Sequence, residues 1–360
     1  MAEITAAMVK ELRDQTGAGM SDCKKALNET NGDMDAAVEV LRKSGAAKVE
    51  KKANRIAAEG VVKIAVSGDC KTAVVVEVNS ETDFVAKNET FQTFVQDVAD
   101  KALASRTDKA GDGEDVCSIL DMKKELEEKT LTIGEKLSMR RFEKASGDVV
   151  GSYIHGGGRI GVLVAGKEAQ GDAVNEALKN VAMQVAAMNP QYIQRSDISD
   201  EELAKLKEIT VDSALNDPAS LPKPILNKLI EKAVSDKKWS DEDIAIYEEK
   251  KSNMNYLFNF LSEDAKTALV QLAFADKEQI VGDKIFTGLV EGRISKHVKE
   301  VCLLDQVYVK AEDGKQLVGQ YLASVNKDLK IVKVVRYEVG EGLEKKNEDF
   351  AAEVAAQMGM

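Results

Sequence analysis

The apolar positions of residues 1–45 recur at the spacing of three short helices. We expect the first helix to end at Gly17, the second to follow caps at Ser21 or Asp22, and the third to end at Gly45, because glycine favours the backbone conformation found after a helix. The positions expected to face inward are Ile4, Ala7, Met8 and Leu12 in the first helix and Ala36, Ala37, Val40 and Leu41 in the third. The pattern predicts a compact three-helix module, followed by a basic linker that reaches residue 55.

Residues 74–87, VVVEVNSETDFVAK, change from a continuous apolar run to a polar turn that contains an acid beside an aromatic residue. The β-branched residues of 74–78 predict a buried strand. The next helical pattern starts only at Phe91. The connection at the end of the strand is therefore expected to hold Thr82, Asp83, Phe84 and Val85.

A large apolar side chain in such a connection has two explanations. Phe84 either folds back onto its own core, which is the usual position of an aromatic residue, or it forms a wedge together with Asp83. In the second case the ring enters an apolar cleft of a partner, while the carboxylate disturbs a charge or a metal site there. Periodicity alone does not distinguish the two explanations.

The strand, loop and helix around Phe84 have a counterpart later in the chain. An alternating stretch at 60–66 precedes them, so the unit is a hairpin, a loop and a helix; residues 149–154, 160–165 and 174–185 repeat this order. Two like halves predict an α+β core made of two related subdomains with antiparallel sheets. In the charged segment between them, helices are expected near 116–129 and 133–142.

Three glycines in the second half, Gly156, Gly158 and Gly161, match the dinucleotide fingerprint GxGxxG. A strand pattern follows them where that fingerprint requires a helix, so no helix N-terminus would be available to bind a pyrophosphate. The glycines instead predict a tight hairpin tip that carries His155 to the surface. His155 is then either a simple polar hairpin residue or part of a partner contact.

The glycine-rich stretch at 16–20 resembles a phosphate-binding turn, but no strand precedes it and the GxxxxGK spacing is missing. An exposed Met20 in this stretch suits a docking contact, since methionine adapts to apolar surfaces of different shapes.

Long helical patterns fill residues 200–276 and predict a helical hairpin or small bundle inserted into the second half. Its aromatic residues form either its own core or a ligand site; they are Trp239, Tyr247, Tyr256, Phe258 and Phe260. A further helix is expected near 277–299. After it come strand-like pieces at 307–310 and 329–339, a helical pattern at 314–323 and a short amphipathic tail at 347–360.

Size and charge narrow the class of protein. A chain of 360 residues with 44% hydrophobic residues can bury two or three cores. The net charge of −12 opposes non-specific attachment to phosphate backbones. Because the chain has no apolar run long enough to span a membrane and a charged N-terminus where a signal peptide would be apolar, we expect a cytoplasmic protein.

Cysteine and histidine usage argues against a metal site and against histidine-based catalysis. The four cysteines lie far apart without a CxxC pair, which predicts free thiols; they are Cys23, Cys70, Cys117 and Cys302. The only two histidines are His155 and His297. We therefore expect no metal, no cofactor and no covalent chemistry.

Four groups of residues together resemble the bacterial elongation factor Ts family. They are TGAGMSDCKKAL at 16–27, NSETDFVAKNETF at 79–91, GSYIHGGGRIGVLV at 151–164, and RYEVGEGLEK with DFAAEVAAQ near the C-terminus. The resemblance covers about 1–195 and 277–360. Residues 200–276 depart from the usual pattern, which has a shorter coiled-coil excursion there.

The resemblance implies a particular domain order. It consists of a three-helix UBA-like domain with its linker at 1–55, a core subdomain N at 56–147, and a core subdomain C in two parts at 148–199 and 277–340. A coiled-coil-like helical insertion at 200–276 separates those two parts, and a C-terminal helical module follows at 341–360.

The family's function implies that this chain promotes exchange of guanine nucleotide on elongation factor Tu. By resemblance, Phe84 enters between two helices of the partner's GTPase domain, while Asp83 and the rest of the loop at 82–85 displace the structure that orders Mg²⁺. Further contacts are implied for Lys10, Arg13, Met20, His155 and Gly156. No direct contact with nucleic acid or membrane is implied, and both a homodimer and a 2:2 complex stay open.

Two other classes compete with this interpretation. A nucleotide-binding enzyme would use the glycines at 156–161 and would bind NAD or ATP in isolation. A helical adaptor would use the first 45 residues to bind a ubiquitin-like or ribosomal surface. Neither explains the joint occurrence of the four groups of residues.

Overall fold

The computed structural model describes residues 4–16, 18–111, 113–251 and 254–344, apart from the side chains of 46–50 and 255. The chain divides into two compact units. Unit 1 consists of Met1–Asn189, Tyr308–Lys310 and Gln320–Met360, and unit 2 of Pro190–Val307 and Ala311–Gly319. The expected helix end at Gly17 and the amphipathic tail at 347–360 lie outside the described residues.

Unit 1 begins with three helices, α1 (Ala6–Thr16), α2 (Met20–Glu29) and α3 (Met34–Lys52). They share a core in which Leu12, Cys23 and Leu27 are fully buried. The three-helix prediction is confirmed, with two changes of detail. Val9 occupies the inward position expected for Ala7, which is exposed, and α2 begins at Met20, ahead of the expected caps.

Gly45 does not end the third helix, which continues to Lys52. A Cβ atom at Gly45 would lie 2.7 Å from Cδ1 of Leu131, a residue of the helix at Lys123–Ile133. Gly45 therefore allows its helix to pack closely against the helix that carries Leu131. Its own backbone stays helical.

The first half of the core follows. Its elements are β1 (Glu59–Val66), β2 (Thr72–Ser80), α4 (Asp83–Ala86), α5 (Glu89–Ala104), β3 (Lys109–Ala110), α6 (Val116–Ile119), α7 (Lys123–Ile133) and β4 (Ser138–Ser146). The strands form an antiparallel sheet in the order β1-β2-β4-β3. Helix α5 covers one face, where three phenylalanines are buried together with three valines of β2; they are Phe91, Phe94, Phe142, Val74, Val76 and Val78.

The helix expected near 133–142 is wrong, because α7 ends at Ile133 and residues 138–142 belong to strand β4. Gly134 adopts a left-handed conformation with φ of 88° and ends α7. The chain then reverses and pairs with β2, which buries Met139 and Phe142 against α5. The conformation of this segment is set by pairing with a strand some 60 residues away. Such long-range pairing cannot be detected from the local spacing of apolar residues.

The second half of the core repeats the hairpin and helix. Its elements are β5 (Val149–His155), β6 (Ile160–Lys167), α8 (Asp172–Met188) and, much later in the chain, β7 (Lys330–Glu338), in the sheet order β5-β6-β7. Helix α8 approaches β5 so closely that a Cβ at Gly151 would lie 2.5 Å from the backbone of Leu178. The two sheets of unit 1 pack face to face through Val75, Leu163 and Val335. The α+β class with two related halves is confirmed.

Unit 2 is a helical bundle. Its helices are α9 (Asp200–Asn216), α10 (Lys223–Ser235), α11 (Asp241–Lys250), α12 (Met254–Leu257), α13 (Glu263–Ala275), α14 (Lys277–Val281) and α15 (Lys284–Val301). The predicted insertion at 200–276 lies within this unit, and α15 shares the same apolar core through Phe286 and Val290. The strand expected at 307–310 is wrong, since only an isolated bridge from Val307 to Leu317 forms there. Helix α16 (Val318–Val325) then precedes β7.

The aromatic residues of the insertion mostly form its own core. Trp239 is buried and donates a hydrogen bond from Nε1 to the carbonyl of Ala265 at 3.0 Å, and its ring and that of Tyr247 are in a T-shaped arrangement. Tyr256 and Phe260 differ, being 57% and 53% exposed.

No helix in the described part of the chain has the length and apolar character needed to cross a membrane. Within the same residues, no group of three or more His, Cys, Asp or Glu side chains is placed to hold a metal ion. All four cysteines are free thiols, and Cys70 alone is exposed.

Candidate functional site: the α4 turn

The segment after β2 is a single helical turn, α4, where the sequence predicted an irregular connection. Thr82 has an extended backbone and acts as N-cap, its Oγ1 accepting a hydrogen bond from the Val85 amide at 3.4 Å. Asn88 then caps α5 by accepting a hydrogen bond from the Thr90 amide at 2.8 Å. Both caps use short polar side chains that suit helix starts.

Phe84 is 81% exposed, and it is the most exposed of the large hydrophobic side chains in the described residues. Successive residues of a helix point about 100° apart, so the single turn divides its side chains between two sides. Val85 and Ala86 pack onto the core between α5 and the first sheet, and Asp83 and Phe84 point to solvent. The explanation in which Phe84 folds back onto its own core is therefore wrong.

Asp83 presents a negative charge beside the ring. Its Oδ2 lies 2.7 Å from Nζ of Lys87, one helical turn further on. The hydrogen bond from Lys87 lowers the pKa of Asp83 below its ordinary value, so the carboxylate is ionised throughout the neutral range. The turn thus displays an exposed phenyl ring and an exposed carboxylate side by side.

A second carboxylate, from Glu135, holds the start of this turn. One oxygen, Oε2, accepts hydrogen bonds from the amides of Glu81 at 3.1 Å and Thr82 at 3.0 Å. The other, Oε1, accepts the hydroxyl proton of Thr82 at 2.6 Å. In return, Glu81 accepts a hydrogen bond from the Lys136 amide at 2.6 Å. We refer to Glu81, Thr82, Glu135 and Lys136 as the Glu135 clamp.

The clamp also reaches the end of the basic linker. Nζ of Lys136 donates hydrogen bonds to the carbonyls of Ala53 and Arg55, at 2.6 and 2.8 Å. The guanidinium of Arg55 lies 3.2 Å from Glu81. Sequence reasoning missed these residues, because they are separated by up to 83 positions, and no local pattern joins them. The only available signal was Gly134, which ends α7 directly before Glu135.

The body of β2 carries a buried charge network centred on Glu77, whose side chain is fully buried. A bulge in the pairing of β2 with β4 leaves Arg140 as an extra residue beside Arg141, so that both guanidinium groups reach this carboxylate, at 3.0 and 2.6 Å. Glu77 also accepts hydrogen bonds from Nδ2 of Asn79 and from the amide of Gly340. The network fixes the strand from which α4 departs.

The other predicted contact residues lie on different elements of unit 1. Lys10 and Arg13 are exposed on α1, and Met20 is 48% exposed at the start of α2. His155 and Gly156 are exposed at the tip of the β5–β6 hairpin, where the glycines form the predicted turn; the phenol of Tyr153 lies 3.1 Å from Nδ1 of His155. The contact role of all five stays a prediction.

Comparison with known proteins identifies what the chain resembles. The family model described as elongation factor TS matches residues 81–250 and 259–341. Elongation factor Ts of Clostridioides difficile (strain 630) is 44% identical over 371 residues, which cover 99% of this chain and 100% of that protein. Elongation factor Ts of Clostridium novyi (strain NT) is 40% identical over 370 residues, covering 99% of each.

These matches correct one expectation. Residues 200–276 were predicted to depart from the family pattern. The family model matches most of this segment, so that prediction is wrong. The buried positions of a helical bundle accept any apolar residue of suitable size, and such a segment therefore carries no short, specific group of residues by which sequence inspection could recognise it.

Proposed function

The chain belongs to the elongation factor Ts family, and from this premise we propose that it promotes release of GDP from elongation factor Tu and allows GTP to rebind. The observation that carries the proposal is the α4 turn. It presents the Phe84 ring and the ionised Asp83 carboxylate to solvent on a backbone fixed by the Glu135 clamp.

In the proposed mechanism, the three-helix module and the C-terminal module hold the partner's GTPase domain through contacts that include Lys10, Arg13 and Met20. The hairpin tip with His155 and Gly156 contacts a further domain. The Phe84 ring then enters an apolar gap between two helices of the GTPase domain, and Asp83 with its turn displaces the structure that orders Mg²⁺. An exposed aromatic side chain that becomes buried is the usual anchor of such an interface.

Loss of Mg²⁺ weakens GDP binding, because the metal and the diphosphate are held by mutual charge-assisted contacts. An exchange factor must bind the nucleotide-free partner better than the GDP-bound partner, and by thermodynamic reciprocity GDP and the factor then weaken each other's binding. A millionfold faster release requires a barrier lower by about 8 kcal/mol. Differential binding at an interface of ordinary size can supply this, and no covalent step is needed.

A fixed turn suits this function better than a mobile loop. Ordering a flexible segment on binding costs free energy that would otherwise favour the complex. In the α4 turn, the two caps and the clamp hold the backbone before any partner arrives, so the ring enters with little further ordering.

The proposal is tested by stopped-flow release of fluorescent GDP from elongation factor Tu, chased with excess unlabelled GTP, with and without this chain. We expect strong, saturable acceleration at micromolar chain and millimolar Mg²⁺. Because the proposed action is to displace Mg²⁺, the acceleration factor should shrink when EDTA removes the metal beforehand. No acceleration at saturating chain would rule out the exchange function.

Replacing Asp83 with asparagine tests the electrostatic half of the mechanism. We expect GDP release several-fold slower than with the wild-type chain, because the amide keeps the size of the side chain and loses its charge. The folded-state pKa is lowered, so the carboxylate loses its charge only in acid; the asparagine effect should therefore be constant across neutral pH. Release is measured by stopped flow at saturating chain.

The matched control for Asp83→Asn is Lys87→Met, which breaks the same exposed ion pair and leaves the carboxylate charged. Equal losses in the two variants would show that the ion pair matters and the charge facing the partner does not.

A further inference from the structure

We propose that Glu135 is a positioning residue for the Phe84 ring: its carboxylate fixes the orientation of α4 and thereby the direction in which the ring points. This inference rests on the proposed exchange function. Glu135 is half-buried and lies 53 residues from Thr82. Its two oxygens together accept three hydrogen bonds from the segment that begins α4.

The backbone needs such an acceptor at this point. β1 pairs with β2 only as far as Ser80, so the amides of Glu81 and Thr82 lie past the paired strand and before the helix. Both donate to Oε2 of Glu135. Hydrogen bonds to an ionised acceptor are about twice as strong as bonds between neutral groups. The carboxylate therefore fixes the two peptide groups from which α4 starts.

The hydroxyl of Thr82 transmits this constraint into the helix. Because its proton is donated to Oε1 of Glu135, the lone pairs of Oγ1 remain available to accept the amide of Val85. The contact with Glu135 thus selects the side-chain position in which Thr82 caps α4. The rotation of α4 about its axis follows from that cap, and the direction of Phe84 follows from the rotation.

A four-residue helix cannot maintain this orientation alone, since isolated helices shorter than about 12 residues are marginal in water. The contacts of Val85 and Ala86 with the core hold one side of the turn. Phe84 itself is 81% exposed and has almost no packing of its own to define where it points. Its direction is consequently set at the N-terminus of the turn, by the Glu135 clamp.

A double-mutant cycle on Glu135→Ala and Phe84→Ala tests the inference, using maximal GDP release rate and half-saturating chain concentration as readouts. We expect Glu135→Ala to lower the maximal rate about tenfold and to change the half-saturating concentration little, because initial contact is assigned to other surfaces. In the Phe84→Ala background, Glu135→Ala should have a much smaller effect, limited to the position of Asp83 on the same turn, since residues that act through one another are not additive.

The matched control is Glu143→Ala. Glu143 is on β4, within ten residues of Glu135, and it pairs with Lys109 and Lys333 but has no contact with the clamp. Its loss should leave the maximal rate unchanged. The conservative variant Glu135→Gln, which keeps an acceptor oxygen for the backbone amides, should recover part of the rate that Glu135→Ala loses.

Amide hydrogen exchange of the isolated chain provides a readout independent of the partner. Glu135→Ala should lower protection at Glu81, Thr82 and Val85 and leave α5 protected. Two results would overturn the positioning role alone. One is a wild-type GDP release rate with Glu135→Ala, and the other is an equal loss of GDP release rate on Glu135→Ala in chains with and without Phe84. A wild-type chain that does not accelerate GDP release would overturn the exchange function, and with it any role of Glu135 in it, even if the amides of the turn lose protection as expected.

Discussion

Replacing Phe84 with alanine is expected to slow release of GDP from elongation factor Tu by an order of magnitude or more, with the fold unchanged. An aromatic anchor at the centre of an interface typically contributes about 2 kcal/mol or more, which corresponds to a factor of about 30 in rate. The ring is 81% exposed in the free chain, so its removal should change the free energy of unfolding by less than about 0.5 kcal/mol. Alanine also keeps the helical preference of the turn.

The measurement is stopped-flow GDP release at saturating chain, with thermal unfolding recorded in parallel. Phe260→Ala is the matched control, because this phenylalanine is also exposed, at 53%, but belongs to the helical bundle of unit 2; its loss should leave the release rate unchanged. Phe84→Leu, which restores part of the apolar volume, should be intermediate. Wild-type release rates with the Phe84→Ala chain would remove the ring from the mechanism.

Replacing Glu77 with alanine is expected to lower the free energy of unfolding of unit 1 by about 3–5 kcal/mol, the usual cost of removing one partner of a buried ion pair. The substitution leaves the guanidinium groups of Arg140 and Arg141, which are only 19% and 16% exposed, without their central carboxylate. It also removes the acceptor of the Gly340 amide and one of the two acceptors of Nδ2 of Asn79. As a carboxylate partner, Arg141 then keeps only the exposed side chain of Glu341, at 3.2 Å, and both guanidinium groups have little access to water.

Urea unfolding followed by far-UV circular dichroism measures this loss. Trp239 is the only tryptophan and is buried in unit 2. Its fluorescence therefore reports the unfolding of unit 2, and we expect the urea midpoint of that transition to be the same in Glu77→Ala and the wild-type chain. The matched variant is Glu341→Ala. Glu341 contacts Arg141 from a side chain that is 46% exposed, and its loss should cost less than about 1 kcal/mol. If Glu77→Ala and Glu341→Ala lowered the free energy of unfolding equally, the burial of Glu77 would not explain the stabilising effect of the network.

Substitutions of Glu77 and Phe84 should have different effects, one on stability and the other on exchange activity, although both residues belong to one strand and the turn that follows it. Glu77 is on β2 and is fully buried, and Phe84 follows seven residues later and is almost fully exposed. A variant of the first should lose stability, and a variant of the second should lose exchange activity at normal stability. We therefore expect stability and exchange activity to depend on different groups, because Glu77 is buried and a partner that binds the surface of the folded chain cannot reach it.

Much of the fold follows from patterns that adjacent residues generate. The continuous valines of β2, the alternation of β1 and the helical spacing after Phe91 predicted a hairpin followed by a helix, and the structure has this arrangement twice. The glycines after His155 predicted a hairpin tip, and β6 follows them where a dinucleotide site would require a helix. In each case the side chains that decide the element lie within a few residues of one another.

Wrong predictions arose where a distant segment decides the local conformation. A helix was expected near 133–142, but residues 138–146 pair with β2 and form a strand. Gly45 packs against Leu131 and remains helical, although glycine commonly follows a helix. The meeting of Arg140 and Arg141 with Glu77 was not predicted at all, because it depends on a bulge in the pairing of β2 with β4. A single sequence does not record which segments meet.

By itself, the sequence determined the family resemblance, the order of the main elements and the position of Asp83 and Phe84 after a buried strand. Only the tertiary structure decided that the Phe84 ring faces solvent and that Glu135 holds the turn on which it stands. The physical reason is the range of the interactions. Helix and strand preferences act between near neighbours, whereas the exposure of a side chain depends on every segment that packs around it, including segments more than 50 residues away.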